Sequence, residues 1–319
     1  MVQGSERVVR VWAHMAVNFE RGGSPGYAEI ARGVASDPEL VAAVLSLPEG
    51  KRQPNLLLGA VRYLGGPVGS FAAWRAFVVG RWERVVRVVM ERSTQTNEVR
   101  RCATLLPVLA QLPGPLALIE VGASAGLCLY PDRYRYSFDG ARPLGEGPGP
   151  VLECETEGGV PVPGRLPQVV WRAGIDLNPL DAGDEGDVRW LEALIWPGGQ
   201  ESGRLERLRG AAAVVAADPP VMVAGDLLEE LPGLVARAPE GATVVVLHSA
   251  VLAYLGRGER EGFASLVGGL PVRWVSNEGW RVFAGWEGAR PVEETHLTVA
   301  LDGRVVGHAG EHGQCLVWA

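Results

Sequence analysis

The sequence predicts an α/β protein in which an all-α N-terminal domain precedes a doubly wound, mostly parallel sheet that ends in an antiparallel hairpin. Residues 7–112 carry apolar side chains at helical spacing and contain no convincing strand. From residue 113 onward, short apolar runs that suit buried strands alternate with helical segments. We therefore place a helical N-terminal domain or cap at residues 1–112 and the sheet domain at residues 113–319.

The N-terminal helices are marked by their starts and ends. Ser36–Glu39 supplies a capping residue, an early proline and a glutamate three residues after the cap, all of which favour a helix start. Residues 55–64 are apolar and end at a Gly-Gly pair, and Ser70 opens a longer segment rich in aromatic residues. A last helix is predicted over residues 98–112, with Pro107 inside it.

The sheet domain begins after Pro113-Gly-Pro115, which ends the preceding helix. Residues 132 to about 166 are interpreted as an inserted β-excursion, and the terminal hairpin with Asp302-Gly303 at its turn is expected to form an antiparallel edge. The predicted strands cover residues 116–120, 134–138, 151–154, 168–176, 221–226, 243–247, 272–275, 296–301, 304–308 and 314–318. The predicted helices of this domain start at Asp187, Leu205, Leu228 and Glu259.

Composition excludes several classes of function. The chain has 319 residues, with 30 basic and 37 acidic side chains that give a formal net charge of −7. Because lysine and arginine form no cluster of the kind that binds nucleic acid, nucleic acid is not expected as a partner. Its four cysteines and five histidines show no disulfide or metal-ligand spacing. No apolar run is long enough to span a bilayer and no signal peptide is recognisable, so we predict a cytoplasmic protein with no membrane partner.

The strongest functional signal is the segment from Glu120 to Gly126, which reads Glu-Val-Gly-Ala-Ser-Ala-Gly. It follows the apolar run Leu116–Ile119, a pattern that predicts a buried strand turning sharply into a helix. Such a turn directs backbone N–H groups at a ligand. Gly-x-Ser-x-Gly is also the nucleophile elbow of α/β-hydrolases, which makes Ser124 a candidate nucleophile. An elbow, however, normally has several strands before it, and the residues upstream are predicted to be helical.

Polar residues end the strands that follow this turn. Asp176 ends the next core strand and Asp226 the one after it. His248 ends the fourth strand, and Asn277 and Glu278 end the fifth. Because ligands of doubly wound sheets bind outside the carboxyl ends of the strands, these side chains are candidate ligand contacts.

Together with the glycine-rich turn, these strand ends resemble the Rossmann-like family of S-adenosylmethionine-dependent methyltransferases. The resemblance implies that the turn holds the methionine part of the cofactor, that Asp176 binds the ribose diol and that Asp226 borders the adenine. The residues assigned to S-adenosylmethionine on this basis are Glu120, Gly122, Ala123, Ser124, Gly126, Asp176, Leu177, Asp226 and Leu227.

The chain departs from the usual pattern of that family in two places. Ser124 replaces the middle glycine, and Asp176 lies 54 residues after Gly122, whereas the dinucleotide fingerprint places its acid about 20 residues on. The β-excursion must absorb that excess. Asp139, which lies 17 residues after Gly122, is the alternative ribose ligand, although its Asp-Gly pairing is typical of a turn.

At a finer level the chain resembles an uncharacterised bacterial family, domain of unknown function 2332. The strings that carry this resemblance span most of the sequence and are Thr94–Glu98, Glu120–Gly126, Gly174–Pro179, Leu247–Ala250 and Ser276–Glu278. The resemblance implies a methyltransferase-like fold and indicates no substrate.

Six further residues are predicted to lie near the transferred methyl group. His248 is a candidate general base or hydrogen-bond partner of the acceptor, and the alternative is a histidine that orients a loop. The residues predicted to contact the acceptor are Gln95, Asn97, Glu98, Asn277 and Glu278. Helix capping or the end of a strand is the alternative explanation for these.

The sequence thus predicts S-adenosylmethionine-dependent methyl transfer to an unidentified small molecule. A catalytically idle relative that keeps a cofactor-binding or structural role is the alternative. A serine hydrolase that uses Ser124 is the third hypothesis.

Overall fold

The computed structural model describes residues 2–95, 98–283, 286 and 288–319. Its helices are α1 (Val2–Arg21), α2 (Pro25–Ser36), α3 (Pro38–Leu45), α4 (Pro54–Tyr63), α5 (Phe71–Gly80), α6 (Trp82–Glu91), α7 (Arg101–Leu109), α8 (Glu185–Ala193), α9 (Glu201–Ala217), α10 (Leu227–Val235) and α11 (Arg257–Gly269). Its strands are β1 (Leu116–Val121), β2 (Arg135–Phe138), β3 (Val151–Glu157), β4 (Val169–Asp176), β5 (Val221–Ala224), β6 (Thr243–Ser249), β7 (Arg273–Gly279), β8 (Leu297–Leu301), β9 (Arg304–Ala309) and β10 (Cys315–Trp318). Every regular element described before β1 is therefore helical.

The chain divides into two compact units. The helical unit comprises residues 1–95 and 185–205, and the sheet unit comprises residues 96–184 and 206–319. This division differs from the boundary predicted at residue 112 in two respects. Helix α7 lies within the sheet unit, and helix α8 lies within the helical unit.

Helix α8 belongs to the helical unit because its side chains contact residues of that unit. Trp190 is fully buried, and its indole N–H donates to the Ser93 carbonyl oxygen at 3.0 Å. Its ring meets Tyr63 edge-on, with 5.9 Å between the centroids. Asp187, which was expected to cap this helix, lies within its first turn and pairs with Arg92.

The long helical segment predicted from Ser70 forms two helices, α5 and α6. They meet at Arg81, whose φ of −138° and ψ of 23° lie outside the helical range. Gly80, a poor helix former, immediately precedes the break.

The sheet unit contains one ten-stranded sheet in the order β2-β3-β10-β9-β8-β7-β6-β1-β4-β5. Strands β5, β4, β1, β6 and β7 run parallel to one another, whereas β8 and β9 are antiparallel to their neighbours. This confirms the mostly parallel sheet with an antiparallel C-terminal part. All six residues of β1 are buried, which explains why its sequence is a continuous apolar run before Glu120.

The expectation that the terminal hairpin forms an antiparallel edge is wrong. Strand β10 pairs in parallel with β3, and β3 pairs in parallel with β2. The β-excursion therefore extends the sheet beyond the hairpin, and the two edges are β2 and β5. Pairing of β3 with β10 joins residues about 160 positions apart (Glu155 and Cys315), which no local pattern encodes.

An apolar core packs α10 and α11 against one face of the parallel strands. Its central members are Ile119, Ile175, Leu231, Val246, Phe263 and Val267, all of which are buried. Burial of this kind is the main contribution to stability and fixes the strands that carry the site residues.

Candidate functional site

The carboxyl ends of the parallel strands meet beside β1. The register places Glu120 next to Gly174 of β4 on one side and next to Leu247 of β6 on the other. The order of the strands reverses at this point, because the chain continues to β4 and β5 on one side and to β6 and β7 on the other. Such a switch point is where ligands bind in open α/β sheets.

The glycine-rich turn after β1 adopts left-handed backbone angles. Gly122, Ser124 and Gly126 have φ values of 70°, 53° and 71°. The backbone N–H of Ser124 donates to the Asp176 carboxylate at 2.8 Å, and the N–H of Gly122 donates to the Ile175 carbonyl oxygen at 2.8 Å. The turn is thereby attached to the end of β4.

The two alternative acids, Asp176 and Asp139, have different surroundings. Asp176 lies against the glycine-rich turn, and its second carboxylate oxygen accepts from the Asn178 N–H at 2.8 Å. Asp139 instead accepts from the N–H of Thr156 at 2.6 Å and holds β3 beside β2. The structure therefore brings Asp176, and not Asp139, to the turn.

A narrow pocket lies at the end of β1, and we call it the acid–arginine pocket. Its lining includes Glu98, Arg101, Glu120, Ala123, Cys128 and Ser249. Three of these residues carry ionisable or guanidinium groups that are removed from water. Buried groups of this kind are costly unless they are paired, so their presence here calls for a partner.

Glu120 is the most unusual of these groups. Its side chain is buried, and its Oε2 atom has no hydrogen-bond partner among the described residues. Burial raises the pKa of Glu120 well above its ordinary value, Cys128 and Asp176 raise it further, and Arg101 opposes them. A cationic group bound beside Glu120 would favour the ionised carboxylate, so binding of a cation and loss of the Glu120 proton would be coupled.

Glu98 and Arg101 form the opposite wall of the pocket. Both carboxylate oxygens of Glu98 accept from the Arg207 guanidinium at 3.0 Å, which makes a bidentate ion pair. Arg101 donates from Nε to the Glu311 carbonyl oxygen at 2.8 Å, and its Nη1 lies 3.3 Å from the Ser249 carbonyl oxygen. Its bonds to carbonyl oxygens orient the guanidinium and leave its positive charge available to an anion.

His248 has both ring nitrogens engaged within the protein. Its Nδ1 lies 2.8 Å from Glu278 Oε1, and its Nε2 accepts from the Trp274 indole N–H at 2.9 Å. Glu278 Oε1 also accepts from the N–H groups of Val251 and Leu252. This arrangement favours the loop-orienting role of His248 over the general-base role, because neither nitrogen is left to take a proton from an acceptor.

Asn277 lies beside Ser249, which lines the acid–arginine pocket. Its side-chain amide donates to Ser249 Oγ at 2.9 Å, and its Oδ1 atom is buried with no partner among the described residues. Glu278 Oε2 is likewise buried without a partner among the described residues. Both oxygens are open acceptors near the strand ends, and leaving them unpaired costs free energy.

The remaining predicted cofactor residues lie at the neighbouring strand ends. Asp226 caps α10 by accepting from the Leu228 N–H at 2.8 Å, and Leu227 packs against the apolar core. Leu177 follows Asp176 and is 71% exposed.

Of the five predicted acceptor contacts, Glu98 alone is among the described residues that line the pocket. Gln95 belongs to the helical unit, and Asn97 lies outside the described residues. Sequence reasoning missed Arg101, Cys128 and Ser249. Arg101 follows Glu98 by three residues and Ser249 follows His248 directly, so the proximity of each to a predicted residue was the available signal.

The nucleophile role of Ser124 finds no support in the geometry. Its hydroxyl is buried and has no hydrogen-bond partner in the part of the chain that the structure describes. A serine nucleophile needs a base within hydrogen-bond reach. His248 is engaged as described above, and His308 lies against Ala289 and Thr298.

The described residues contain neither a metal-binding cluster nor a membrane-spanning helix. They contain no group of three or more histidine, cysteine, aspartate or glutamate side chains arranged to hold a metal ion. No helix among them combines the length and the apolar character needed to cross a membrane.

Fold and site together define a protein of the α/β class with a buried polar pocket at the switch point of a mostly parallel sheet. The chain belongs to a bacterial family, because residues 10–318 match the family described as "Uncharacterized protein conserved in bacteria (DUF2332)". No curated protein and no solved structure matches the chain.

Proposed function

We propose that this protein is an S-adenosylmethionine-dependent methyltransferase that acts on a small molecule. The observation that carries the proposal is the acid–arginine pocket, where a buried carboxyl group with an open oxygen faces a guanidinium beside a left-handed glycine turn. The position of that pocket, at the switch point of a parallel sheet, supports a nucleoside-containing ligand.

The residues of the pocket suit the amino-acid end of this cofactor. Glu120 Oε2 is an open acceptor for an α-ammonium group, and the guanidinium of Arg101 attracts an α-carboxylate. Ligand binding would thus supply Glu120 Oε2 with the partner that it lacks. When bound, the cofactor supplies an electrophilic methyl group on its sulfonium.

The strand ends beside the pocket suit the nucleoside end. Each oxygen of Asp176 accepts one backbone N–H, and each keeps a second lone pair that a ribose hydroxyl can use. Leu177 offers an exposed apolar side chain, and Asp226 lies at the end of the adjacent strand. These groups would bind the ribose hydroxyls and contact one face of the base.

The contribution of the protein to catalysis would be positioning. Methyl transfer from a sulfonium needs in-line approach of the acceptor more than it needs acid–base chemistry. Glu278, which His248 contacts through Nδ1, accepts from the N–H groups of Val251 and Leu252, and Val251 packs directly against Gly122. This network would keep the two loops at the cofactor in a fixed relation.

The experiment is calorimetric titration of the full chain with S-adenosylhomocysteine. The wild type is expected to bind, and Asp176→Asn is expected to weaken binding at least about tenfold. Asp139→Asn is the matched control, because it removes the same charge at the alternative acid and is expected to leave affinity unchanged. Absence of binding to the wild type at saturating ligand, or equal loss in both variants, would contradict the proposal.

A cofactor-binding protein without turnover is the second candidate function. The observation that favours it is the engagement of both nitrogens of His248, which leaves the pocket without that base. The two functions differ in one measurement. Incubation with methyl-labelled S-adenosylmethionine and the small-molecule fraction of a bacterial extract labels a product only if the protein is an active methyltransferase.

A further inference from the structure

A second cleft of about 740 Å³ lies in the sheet unit, between α11 and the segment that follows β7. This volume is in the range of small-molecule sites. Among the described residues, the cleft shares no lining residue with the acid–arginine pocket. We call it the aromatic–arginine cleft after the two kinds of side chain that line it.

Four aromatic rings form the apolar part of this cleft, and they contact one another in sequence. Phe283 meets Trp274 edge-on at 5.5 Å and Trp286 edge-on at 5.0 Å between ring centroids. Trp280 stacks on Trp286 at 6.5 Å with an interplanar angle of 27°. All four rings remain partly exposed to solvent. A partly exposed aromatic cluster inside a concave site favours a flat, apolar ligand.

Four arginines accompany these rings, namely Arg257, Arg260, Arg281 and Arg290. Glu261 is the single carboxylate that lines the cleft in the described part of the chain. The local charge is therefore positive although the chain as a whole carries −7. A cleft lined by one sign of charge attracts the opposite charge.

The arginines have distinct roles. Arg260 donates to the carbonyl oxygens of Ala253, Leu255 and Val282, so it ties the wall of the cleft together without a carboxylate. The guanidinium of Arg290 lies 5.8 Å from the centroid of the Trp280 ring. A guanidinium held over an aromatic ring still presents N–H donors that match a carboxylate.

We infer that the aromatic–arginine cleft binds an aromatic carboxylate of small size, with the flat ring among the tryptophans and the carboxylate on the arginine side. Trp280 is assigned to the ring and Arg290 to the carboxylate. The site is separate from the proposed cofactor pocket, and its test does not depend on S-adenosylmethionine.

The test is calorimetric titration of the full chain with 2-naphthoate and with its uncharged analogue 2-naphthamide. The wild type is expected to bind 2-naphthoate at least about tenfold more tightly than 2-naphthamide, since a charge-assisted hydrogen bond is made only by the anion. Arg290→Gln is expected to remove this preference, and Trp280→Ala is expected to weaken binding of both probes.

The matched control is Arg189→Gln. Arg189 lies over the Tyr63 ring at 4.5 Å and does not line the cleft, so its substitution removes the same kind of arginine–ring contact at a residue that the cleft does not use. It is expected to leave both affinities unchanged. Arg290 is exposed, so its variant is expected to fold, and far-ultraviolet circular dichroism checks this. Equal affinity for the two probes, no binding at about 1 mM, or equal effects of Arg290→Gln and Arg189→Gln would overturn the inference.

Discussion

The acid–arginine pocket and the aromatic–arginine cleft both contain arginines and acids, but they use them under different physical conditions. In the pocket wall the Glu98 side chain is 3% exposed and makes a bidentate pair with Arg207. At the rim of the cleft, Arg257 is 86% exposed and pairs with Glu261 along one helix face. Water screens the second pair and not the first. The comparison shows that the contribution of an ion pair to stability depends on how deeply it is buried and not only on which residues form it.

Removal of one buried partner should have the largest effect. Arg207→Met leaves the Glu98 carboxylate without the guanidinium that balances its charge, so we expect the free energy of unfolding to fall by about 3–5 kcal/mol. Arg257→Met makes the same change at the exposed pair, which solvent screens, and should cost far less. Urea unfolding followed by circular dichroism measures both. Equal losses would remove the distinction between the two regions.

Gly122→Ala tests how closely the pocket is packed. A Cβ atom at Gly122 would lie 1.9 Å from a methyl carbon of Val251, and the residue has φ of +70°. Overpacking and the left-handed backbone together should cost about 3 kcal/mol. The control is Gly140→Ala, at φ of +71° with nothing within 4 Å of the added atom, which should cost only about 1–2 kcal/mol. If Val251→Ala fails to relieve the Gly122→Ala defect in a double mutant, the packing explanation is wrong.

Glu120→Gln should change how stability depends on pH. The folded protein holds the Glu120 proton more tightly than the unfolded chain does, because its folded pKa is raised above the ordinary value of 4.5. The free energy of unfolding of the wild type should therefore fall as pH rises from about 4.5 through the folded pKa, by about 1.4 kcal/mol for each pKa unit of elevation. The variant lacks this dependence, so the difference between the two proteins should grow with pH in that window. Unfolding at a series of pH values measures it, with the exposed Glu261→Gln as the control.

Trp274→Phe should have the smallest effect and tests the contact between the two regions. Trp274 lines the cleft, and its indole N–H donates to His248. Phenylalanine keeps the ring but leaves the buried Nε2 of His248 without a donor, which should cost about 1–2 kcal/mol. Trp286→Phe removes an indole donor to the Trp280 carbonyl oxygen within the cleft and should cost less. If Trp286→Phe lowers the free energy of unfolding more than Trp274→Phe does, the hydrogen bond to His248 is not the more important of the two indole hydrogen bonds.

Much of the fold was predictable because it depends on local pattern. Periodicity located the helices before β1, and the continuous apolar run before Glu120 indicated a strand buried on both faces. The left-handed angles at Gly122 and Gly126 follow from residue type. At the site, the strand-end acids Glu120 and Asp176 were identified because a switch point collects the carboxyl ends of parallel strands.

The features of the sheet and of the pocket that were not predicted involve residues that are distant in the sequence. Strand β3 extends the sheet through β10, and Trp190 of α8 is buried in the helical unit, although both segments follow the first strand in the chain. Arg101 was missed because only the folded chain brings it to Ser249.

The sequence by itself determined the α/β class, the order of helices and strands and the glycine-rich turn, since each depends on the spacing and type of neighbouring residues. Only the tertiary structure decided which strands form the edges and that the ring nitrogens of His248 are occupied by Glu278 and Trp274. It also decided that Glu98 pairs with Arg207, 109 positions away. Such pairings result from the packing of whole elements, and the free energy that selects them is shared among many contacts that no short segment contains.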